Sequence, residues 1–377
     1  MKKKEKVIIG LSGGVDSSVA AYLLLKDGYD VEAVFMRNWD SATNLDFKGN
    51  PTAFDDVCEQ EKDYQDAVKV ADKLGIKLHK VDFIEEYWNR VFTYFLDEYK
   101  KNRTPNPDVL CNNEIKFKAF IDYVDCFNPD YIAMGHYAQV DLTGEEPKLL
   151  RAIDQNKDQT YFLSQLRSDQ LKHVMFPIGH LNKKQVREIA KEAGLATALK
   201  KDSTGICFIG ERYFNDFLSN YLPAQPGDMR TLDQTFVKKH HGLMNYTIGQ
   251  RKGLGIGGTK DTTNPWFVVG KDLKTNTLYV EPNGNHPYLT SNHAIITEVV
   301  WRGQKIEGPM TAKFRYRQPD QDVVVKWVNE NTIDVSYLQG VKAVTPGQVC
   351  AFYKNDVCLG AGFIDEVFMD KVKRQYS

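Results

Sequence analysis

Val7-Ile8-Ile9-Gly10-Leu11-Ser12-Gly13-Gly14-Val15-Asp16-Ser17-Ser18 is the stretch on which the fold is read. An apolar run enters a glycine-bearing turn, and the turn opens into Val19-Ala20-Ala21-Tyr22-Leu23-Leu24-Leu25, which has the composition of a helix. Strand, glycine turn and helix start, in that order, form an anion cradle. Glycine lets the backbone approach a phosphate, and the first N–H groups of a helix have no intrahelical acceptor and point at it. Ser12 and Ser17 add hydroxyl donors. The candidate nucleotide-binding residues are therefore Gly10, Leu11, Ser12, Gly13, Gly14, Val15, Asp16 and Ser17.

A Walker P-loop would need Gly-x-x-x-x-Gly-Lys-Ser/Thr. No such string occurs, and no lysine follows these glycines. The pattern instead resembles the PP-loop signature of the ATP pyrophosphatases. That superfamily cuts ATP between its α and β phosphates and adenylylates a carbonyl oxygen of a second substrate.

Working outward, the chain alternates strand-like and helix-like segments over its first ~200 residues, which predicts a doubly wound parallel sheet. Val31 to Met36 reads as the second strand. Tyr64, Ala67, Val68, Ala71 and Leu74 recur at helical spacing and Gly75 closes that helix. Phe83 to Tyr99 reads as one aromatic-rich helix, and Tyr131 to Met134 as a strand running into Gly135-His136. Asn182 and Gln185 form a capping box for a helix over Lys183 to Ala193 with a structural role. Residues 210–280 are glycine-rich and mixed. Beyond residue 292 alternating patterns such as Val323 to Val328 and Thr332 to Tyr337 predict a small β-barrel. The expected domains are 1–208, 209–288 and 289–377.

With 377 residues, 42% hydrophobic and 26% charged, the composition is that of a globular protein of several domains. No apolar stretch approaches the ~20 residues of a membrane span. The basic N-terminus, Met-Lys-Lys-Lys-Glu-Lys, lacks the unbroken apolar run of a secretory signal, so a cytoplasmic location is expected. A net charge of −1 confines any nucleic-acid contact to local patches. Six cysteines lie scattered without a CxxC pair, which argues against zinc or an iron–sulfur cluster and leaves no metal-ligand candidates. His240-His241 reads as a surface pair. Cys58, Cys126, Cys350 and Cys358 read as packing residues, and Gly253 to Gly258 as a turn rather than a dinucleotide fingerprint.

Two cysteines stand out. Thr104-Pro105-Asn106-Pro107-Asp108-Val109-Leu110-Cys111-Asn112-Asn113 is a proline-stiffened loop. A helix capped by Asn112 or Asn113 would put Cys111 at an N-terminus, where the dipole favours thiolate. Asp108 lies in the same loop as a candidate general acid or base. Asp202-Ser203-Thr204-Gly205-Ile206-Cys207-Phe208-Ile209-Gly210 brackets a second cysteine with small residues, as suits an exposed, mobile loop. Either cysteine alone also fits an ordinary packed residue.

Taken together and in this order, the cradle and the two cysteine motifs resemble the bacterial tRNA-specific 2-thiouridylase family. The likeness extends through Gly135-His136-Tyr137, Lys157-Asp158-Gln159-Thr160-Tyr161-Phe162, Tyr246-Thr247-Ile248-Gly249-Gln250-Arg251 and Lys313-Phe314-Arg315-Tyr316-Arg317. The resemblance implies a catalytic domain of the adenine nucleotide alpha hydrolase-like kind, with ATP at Gly10 to Ser17 lined also by Met36 and Gly135, and magnesium as helper. It implies adenylylation of the 2-carbonyl oxygen of a wobble uridine and a persulfide on Cys207. Cys111 would release the sulfur through a transient disulfide with Cys207, and Asp108 would assist. Asn106, Pro107 and Asp108 match the loop touching the target base. His136, Lys157, Asp158, Gln159, Tyr316, Arg317 and Gln348 match tRNA-contacting positions. The implied partners are tRNA and a sulfur donor, a cysteine desulfurase or relay protein. Strand alternation would set Lys313, Arg315 and Arg317 on one phosphate-tracking face, with Phe314 and Tyr316 turned into the barrel. A ligase of the argininosuccinate synthetase type, or a tRNA-binding protein without activity, would share the fold without needing both cysteines.

Overall fold

The computed structural model describes residues 4–53, 55, 57–202, 205–207, 209–257 and 264–376. Met1 to Lys3, Ser203, Thr204 and Phe208 of the second cysteine motif, and Gly258 of the glycine run, lie outside the described residues.

The first part of the chain lays down β1 (Lys6–Gly10), β2 (Asp30–Arg37), β3 (Lys77–Asp82), β4 (Tyr131–Ala133), the hairpin strands β5 (Ala138–Asp141) and β6 (Lys148–Arg151), and β7 (Val174–Met175). A five-stranded sheet runs in the order β3-β2-β1-β4-β7, with parallel pairings throughout. Both faces are covered. Ile8, Val34 and Ile132 enter one core, while Val7, Ile9, Ala33 and Ala133 enter the other, the period-two alternation of a doubly wound sheet. Helix α1 (Val15–Lys26) follows β1, and α2 (Glu59–Leu74) ends at Gly75, which takes φ 66° as the left-handed cap. Strand order reverses at β1: β2 and β3 lie on one side, β4 and β7 on the other. The crevice outside the carboxyl ends of β1 and β4 is thus a topological switch point, where open α/β sheets bind ligands.

The middle of the chain forms a four-stranded sheet from β8 (Gly227–Arg230), β9 (Phe236–His240), β10 (Trp266–Asp272) and β11 (Thr277–Pro282), in the order β10-β11-β8-β9. The last part forms a barrel. Strands β12 (Thr290–Trp301), β13 (Gly308–Lys313), β14 (Gln321–Asn329), β15 (Thr332–Lys342), β16 (Val349–Lys354) and β17 (Val357–Met369) pair antiparallel as β12-β15-β14-β13-β16-β17, and β17 pairs back to β12 to close it. The start of β17 also accepts β6 of the first part, Cys358 opposite Leu149 and Val357 opposite Leu150. Arg302 seals the same junction, donating to the carbonyls of Ser164, Leu166 and Cys358 at 2.6–2.8 Å.

Several local expectations change. The aromatic segment is helical in three pieces, Ile84–Tyr87, a π-helical turn Trp88–Phe92, and Thr93–Lys100. His240 is fully buried, its Nε2 3.0 Å from the Asn276 carbonyl and its Nδ1 accepting the Gly242 N–H, so it is not a surface residue. Cys58 and Cys126 are exposed, while Cys350 and Cys358 are packed. The basic stripe at 313–317 does not form, because β13 ends at Lys313 and a turn follows, closed by Gln318 donating to the Arg315 carbonyl at 3.1 Å. Phe314 enters the barrel core, but Arg315 turns inward to donate to the Ile248 carbonyl and Thr345, and Tyr316 leaves the barrel to pack on Phe162 at 4.3 Å. Of the three cations only Arg317 is exposed.

Candidate active site

At the end of β1 the cradle forms from its own chain. Gly13 takes φ 74°, and any Cβ there would lie 2.1 Å from the Asp63 carbonyl, so only glycine fits the turn. Ser17 Oγ lies 3.1 Å from Ser12 Oγ, accepts the Ser12 N–H at 3.2 Å and donates to the Gly14 carbonyl. Gly14 is the N-cap of α1 and has no side chain to satisfy the first-turn amides. Those amides are donors held ready for an anion, which is what a nucleotide phosphate requires.

The cation absent from the loop arrives from elsewhere. Asn182 and Gln185 form the expected capping box, and the helix Lys183–Glu192 it starts packs beside α1. Its first residue, Lys183, places Nζ 2.8 and 2.9 Å from the two carboxylate oxygens of Asp16. The Tyr137 hydroxyl donates to Asp16 at 2.8 Å. Asp202 then gathers Lys183 (2.8 Å), Lys157 (2.7 Å) and Arg187 (2.8 Å), and these cations hold its carboxyl down at about 2 despite partial burial. The helix read as structural thus equips the cradle.

Met36 and Gly135 lie against the cradle. A Cβ on Gly10 would meet Met134 Sδ at 2.6 Å and Met36 Cε at 3.3 Å, and one on Gly135 would meet the Ser17 amide at 2.6 Å. The next residue, His136, faces a second chamber. There the sulfurs of Cys111 and Cys207, 96 positions apart in sequence, lie 3.5 Å from each other. Among the described residues of the Cys207 motif, several hydrogen bonds tie the backbone to its surroundings. Ile206 and Gly210 exchange backbone hydrogen bonds at 3.2 and 2.8 Å. The Cys207 N–H donates to Asp108 Oδ1 at 3.0 Å, and the Tyr87 hydroxyl donates to the Cys207 carbonyl at 2.9 Å.

Cys111 is not at a helix N-terminus. Asn106 caps a helix that already begins at Pro107, its Oδ1 accepting the Val109 N–H, since proline is tolerated at the first helical position. Cys111 follows as the first residue of a π-helical stretch, Cys111–Ala119, and is completely buried. Burial, with the second sulfur beside it, pushes its thiol well above the usual range. The partly buried Cys207 goes the other way: the Cys111 S–H donating to it and the Lys116 ammonium outweigh desolvation and hold it below the ordinary thiol value. Burial raises Asp108, opposed by the Cys207 N–H. Lys116 was not anticipated from sequence. It stays protonated against the pull of burial because Cys207, Cys111 and Asp108 surround it, and its Nζ lies 3.4 Å from His136 Nε2. Burial and that ammonium keep His136 neutral, with its pKa well below the usual imidazole value. With Nε2 turned to an ammonium the proton sits on Nδ1, a buried donor that has no partner among the described residues.

The remaining expected contact residues divide. Asn106, Pro107 and Asp108 border the chamber. Lys157 reaches Asp202, and Gln159 Oε1 accepts the Tyr137 N–H at 2.9 Å. Asp158 is buried and accepts from Ala152 N and Thr160 Oγ1, so its carboxylate shapes the turn and faces no solvent. Gln348 reaches across from the barrel and donates to the Thr104 carbonyl at 2.7 Å, bracing the proline-stiffened loop that leads to Cys111. Tyr316 and Arg317 stand together at the barrel rim. No helix among the described residues is long and apolar enough to cross a membrane.

Three family profiles match in succession: a tRNA methyl transferase HUP domain over residues 5–211, a tRNA methyl transferase PRC-barrel domain over 215–282, and an aminomethyltransferase beta-barrel domain over 291–364. Over 374 residues the chain is 74% identical to the tRNA-specific 2-thiouridylase MnmA of Acholeplasma laidlawii, covering 99% of this chain and 100% of that protein. This chain belongs to the tRNA-specific 2-thiouridylase family. Other 2-thiouridylases are similar along nearly their whole length, that of Aster yellows witches'-broom phytoplasma at 60% identity (99% and 100% covered) and that of Listeria monocytogenes at 55% (98% and 97% covered). A 4-thiouridine synthetase–RNA complex with bound ATP aligns at 17% identity and a TM-score of 0.35 over 55% of this chain and 45% of that one, a likeness too slight to inform fold or chemistry. The domain profiles speak of methyl transfer, whereas the full-length 2-thiouridylase relatives speak of thiolation.

Proposed function

We propose that this chain is a cytoplasmic tRNA-uridine 2-sulfurtransferase. The observation carrying the reading is the 3.5 Å approach of Cys111 and Cys207 in a chamber joined to the nucleotide cradle through Gly135 and His136. A uridine carbonyl is a poor electrophile and its oxygen a poor leaving group. Attack of the 2-carbonyl oxygen on the α-phosphate of ATP, held by the α1 amides and Lys183, releases pyrophosphate and leaves an O-adenylyl uridine. Magnesium riding on the phosphates would offset their charge as pyrophosphate departs, and Asp16 is the carboxylate the cradle offers it.

Sulfur comes from a donor protein, a cysteine desulfurase or a relay carrier. The Cys207 thiolate attacks the outer sulfur of the donor persulfide, giving Cys207–S–SH and a donor thiolate. Cys111 then attacks the inner sulfur. Its S–H and the Cys207–S–SH bond break, the Cys111–Cys207 disulfide forms, and the departing hydrosulfide adds to C2 of the adenylylated base and expels AMP. Two electrons from an external thiol reductant restore both cysteines. Asp108, at the mouth beside Cys207, is placed to carry the proton between thiol and leaving sulfur. The wobble base must leave its stack to reach this depth, and the His136 Nδ1–H is a buried donor for it. Arg317 and Tyr316 on the rim, with Lys157 near the cradle, are the proposed contacts to the rest of the tRNA.

The test is mass analysis of unmodified tRNA incubated with the protein, ATP, magnesium and a persulfide donor. The expected result is replacement of one oxygen by sulfur at the wobble uridine, with AMP and pyrophosphate formed in step. ATP cleavage without sulfur gain would favour a ligase chemistry instead.

A further inference from the structure

We propose that Lys116 is a catalytic residue of the sulfur chemistry: its ammonium is the fixed positive charge that holds each sulfur anion formed during relay, first the Cys207 thiolate and then the hydrosulfide that leaves it. The inference deepens the thiolation reading and rests on it for the fate of the sulfur.

The backbone explains how the lysine gets there. Cys111 opens a stretch of π-type, five-residue hydrogen bonding that runs to Ala119 across a backbone break at Phe117 (φ −122°, ψ 17°), and Lys116 is the fifth residue after Cys111, one wide turn along. In an α-helix of the same sequence Ile115 would take the nearest position one turn away. Ile115 is instead entirely buried in the apolar core, and Lys116 is half-buried beside the sulfurs. Single π-turns in helices concentrate at functional sites, and this one exchanges an aliphatic neighbour for a cation. The ammonium hydrogen-bonds to Cys207, faces Cys111 and Asp108, and has His136 Nε2 at 3.4 Å.

That arrangement matches the demand of the chemistry. Two thiols facing each other, one of them fully buried, would both stay protonated without a cation nearby, since burial disfavours thiolate. Cys350 and Cys358 show this outcome, both buried and both raised. An ammonium reverses the balance for the sulfur it touches. When Cys111 attacks the Cys207 persulfide, the thiolate electrons form the new S–S bond and the old S–S pair departs on the outer sulfur as hydrosulfide. Lys116 stays protonated throughout, so the negative charge passes from one sulfur to the next beside a cation that need not move. The proton lost by Cys111 goes through Asp108 to the hydrosulfide or to water.

The experiment follows each thiol in the full-length protein without tRNA. Alkylation by iodoacetamide is measured by peptide mass spectrometry from pH 5.5 to 10, with the exposed Cys126 as the internal reference. In the parent protein the Cys207 midpoint should fall below that of Cys126. In Lys116→Gln it should rise by at least about one pH unit, a roughly tenfold loss of thiolate in the range where it is scarce, and Lys116→Arg should restore most of it. A second measurement loads Cys207 with polysulfide and times hydrosulfide release. Lys116→Gln should slow release by about a hundredfold while Lys116→Arg remains within about tenfold of the parent. Unchanged Cys207 titration and release in Lys116→Gln would overturn the proposal, as would a parent Cys207 that titrates no lower than Cys126. Because neither measurement uses tRNA or ATP, failure of tRNA thiolation in the parent protein would overturn the functional reading while leaving the lysine's effect on sulfur separately measurable.

Discussion

The nucleotide cradle and the sulfur chamber adjoin at Gly135-His136, yet opposite physics holds each together. The cradle is open and ionic. Asp16, Lys183, Asp202 and Lys157 are each exposed over 14–38% of the side chain and satisfy one another by exchangeable contacts. The chamber is more enclosed, with Cys111 buried and the half-buried Lys116 ammonium set among two sulfurs, the Asp108 carboxyl and the His136 imidazole. A polyanion must enter and leave the first in every cycle, so its partners have to be replaceable. Under the proposed relay the second would have to keep water and stray thiols from intercepting a persulfide, which favours groups held in place by the fold.

The sharpest way to break this contrast is to remove either sulfur. Cys207→Ser and Cys111→Ser should each lower tRNA thiolation by about a thousandfold or more while leaving ATP affinity within a factor of about two, checked by product mass analysis and calorimetric titration. Equal damage to both readouts would mean that the two compartments are one.

The converse variant is Lys183→Met. It deletes the cation paired with Asp16 and leaves that carboxylate only the Tyr137 hydroxyl, so ATP should bind about ten- to a hundredfold more weakly. The Cys207 alkylation midpoint should not move. If Lys183→Met shifted that midpoint, the charge network would extend through His136 into the chamber.

A third region sharpens the picture of fixed charge. Lys271, on β10, is buried with its Nζ 3.2 Å from the Asn102 carbonyl, and burial alone brings its ammonium down to about 7. Its pKa is lower in the folded than in the unfolded protein. Between about pH 7 and 10.5 the unfolded chain binds the extra proton, so this lysine's penalty grows as pH falls through that window and is complete below about 7. Lys271→Met should therefore stabilise the protein by on the order of 1–3 kcal/mol at pH 7 and by little at pH 10, read from denaturant midpoints. Lys116, half-buried and faced by Cys207, Cys111 and Asp108, should show no such gain.

The smallest expected effect lies at the rim. Arg317→Glu should weaken tRNA binding severalfold and flatten its salt dependence by about one to two ion equivalents, measured by filter binding across salt. Arg315→Glu should instead damage folding, because the Arg315 guanidinium is buried against Ile248 and Thr345.

What could be read in the sequence was what is built locally. The cradle and α2 with its glycine cap each depend on residues within a few turns of one another, and each strand of the parallel sheet carries its own apolar run even though its partners are distant, so periodicity and turn chemistry expose them. The chamber's chemistry was only half visible. Both cysteines and Asp108 sit in recognisable loops, but Lys116 lies inside a helical segment where nothing local marks it, and the Cys207 sulfur it meets comes from a distant loop. Lys183 looked like the start of a structural helix because its partner is 167 positions away. Arg315 was misplaced for a local reason: alternation continues past Lys313 in the letters, while the backbone turns through Gln318.

The strand pairing between β6 and β17 constrains how the molecule can be made. Leu150 finds its partner Val357 only when a residue more than 200 positions downstream has been synthesised. At about 5–20 residues per second the ribosome leaves that edge without its mate for roughly 10–40 s. Nascent chains halted before residue 357 should therefore be captured by chaperones or aggregate, and splitting the gene ahead of the barrel would leave the catalytic portion with an adhesive border.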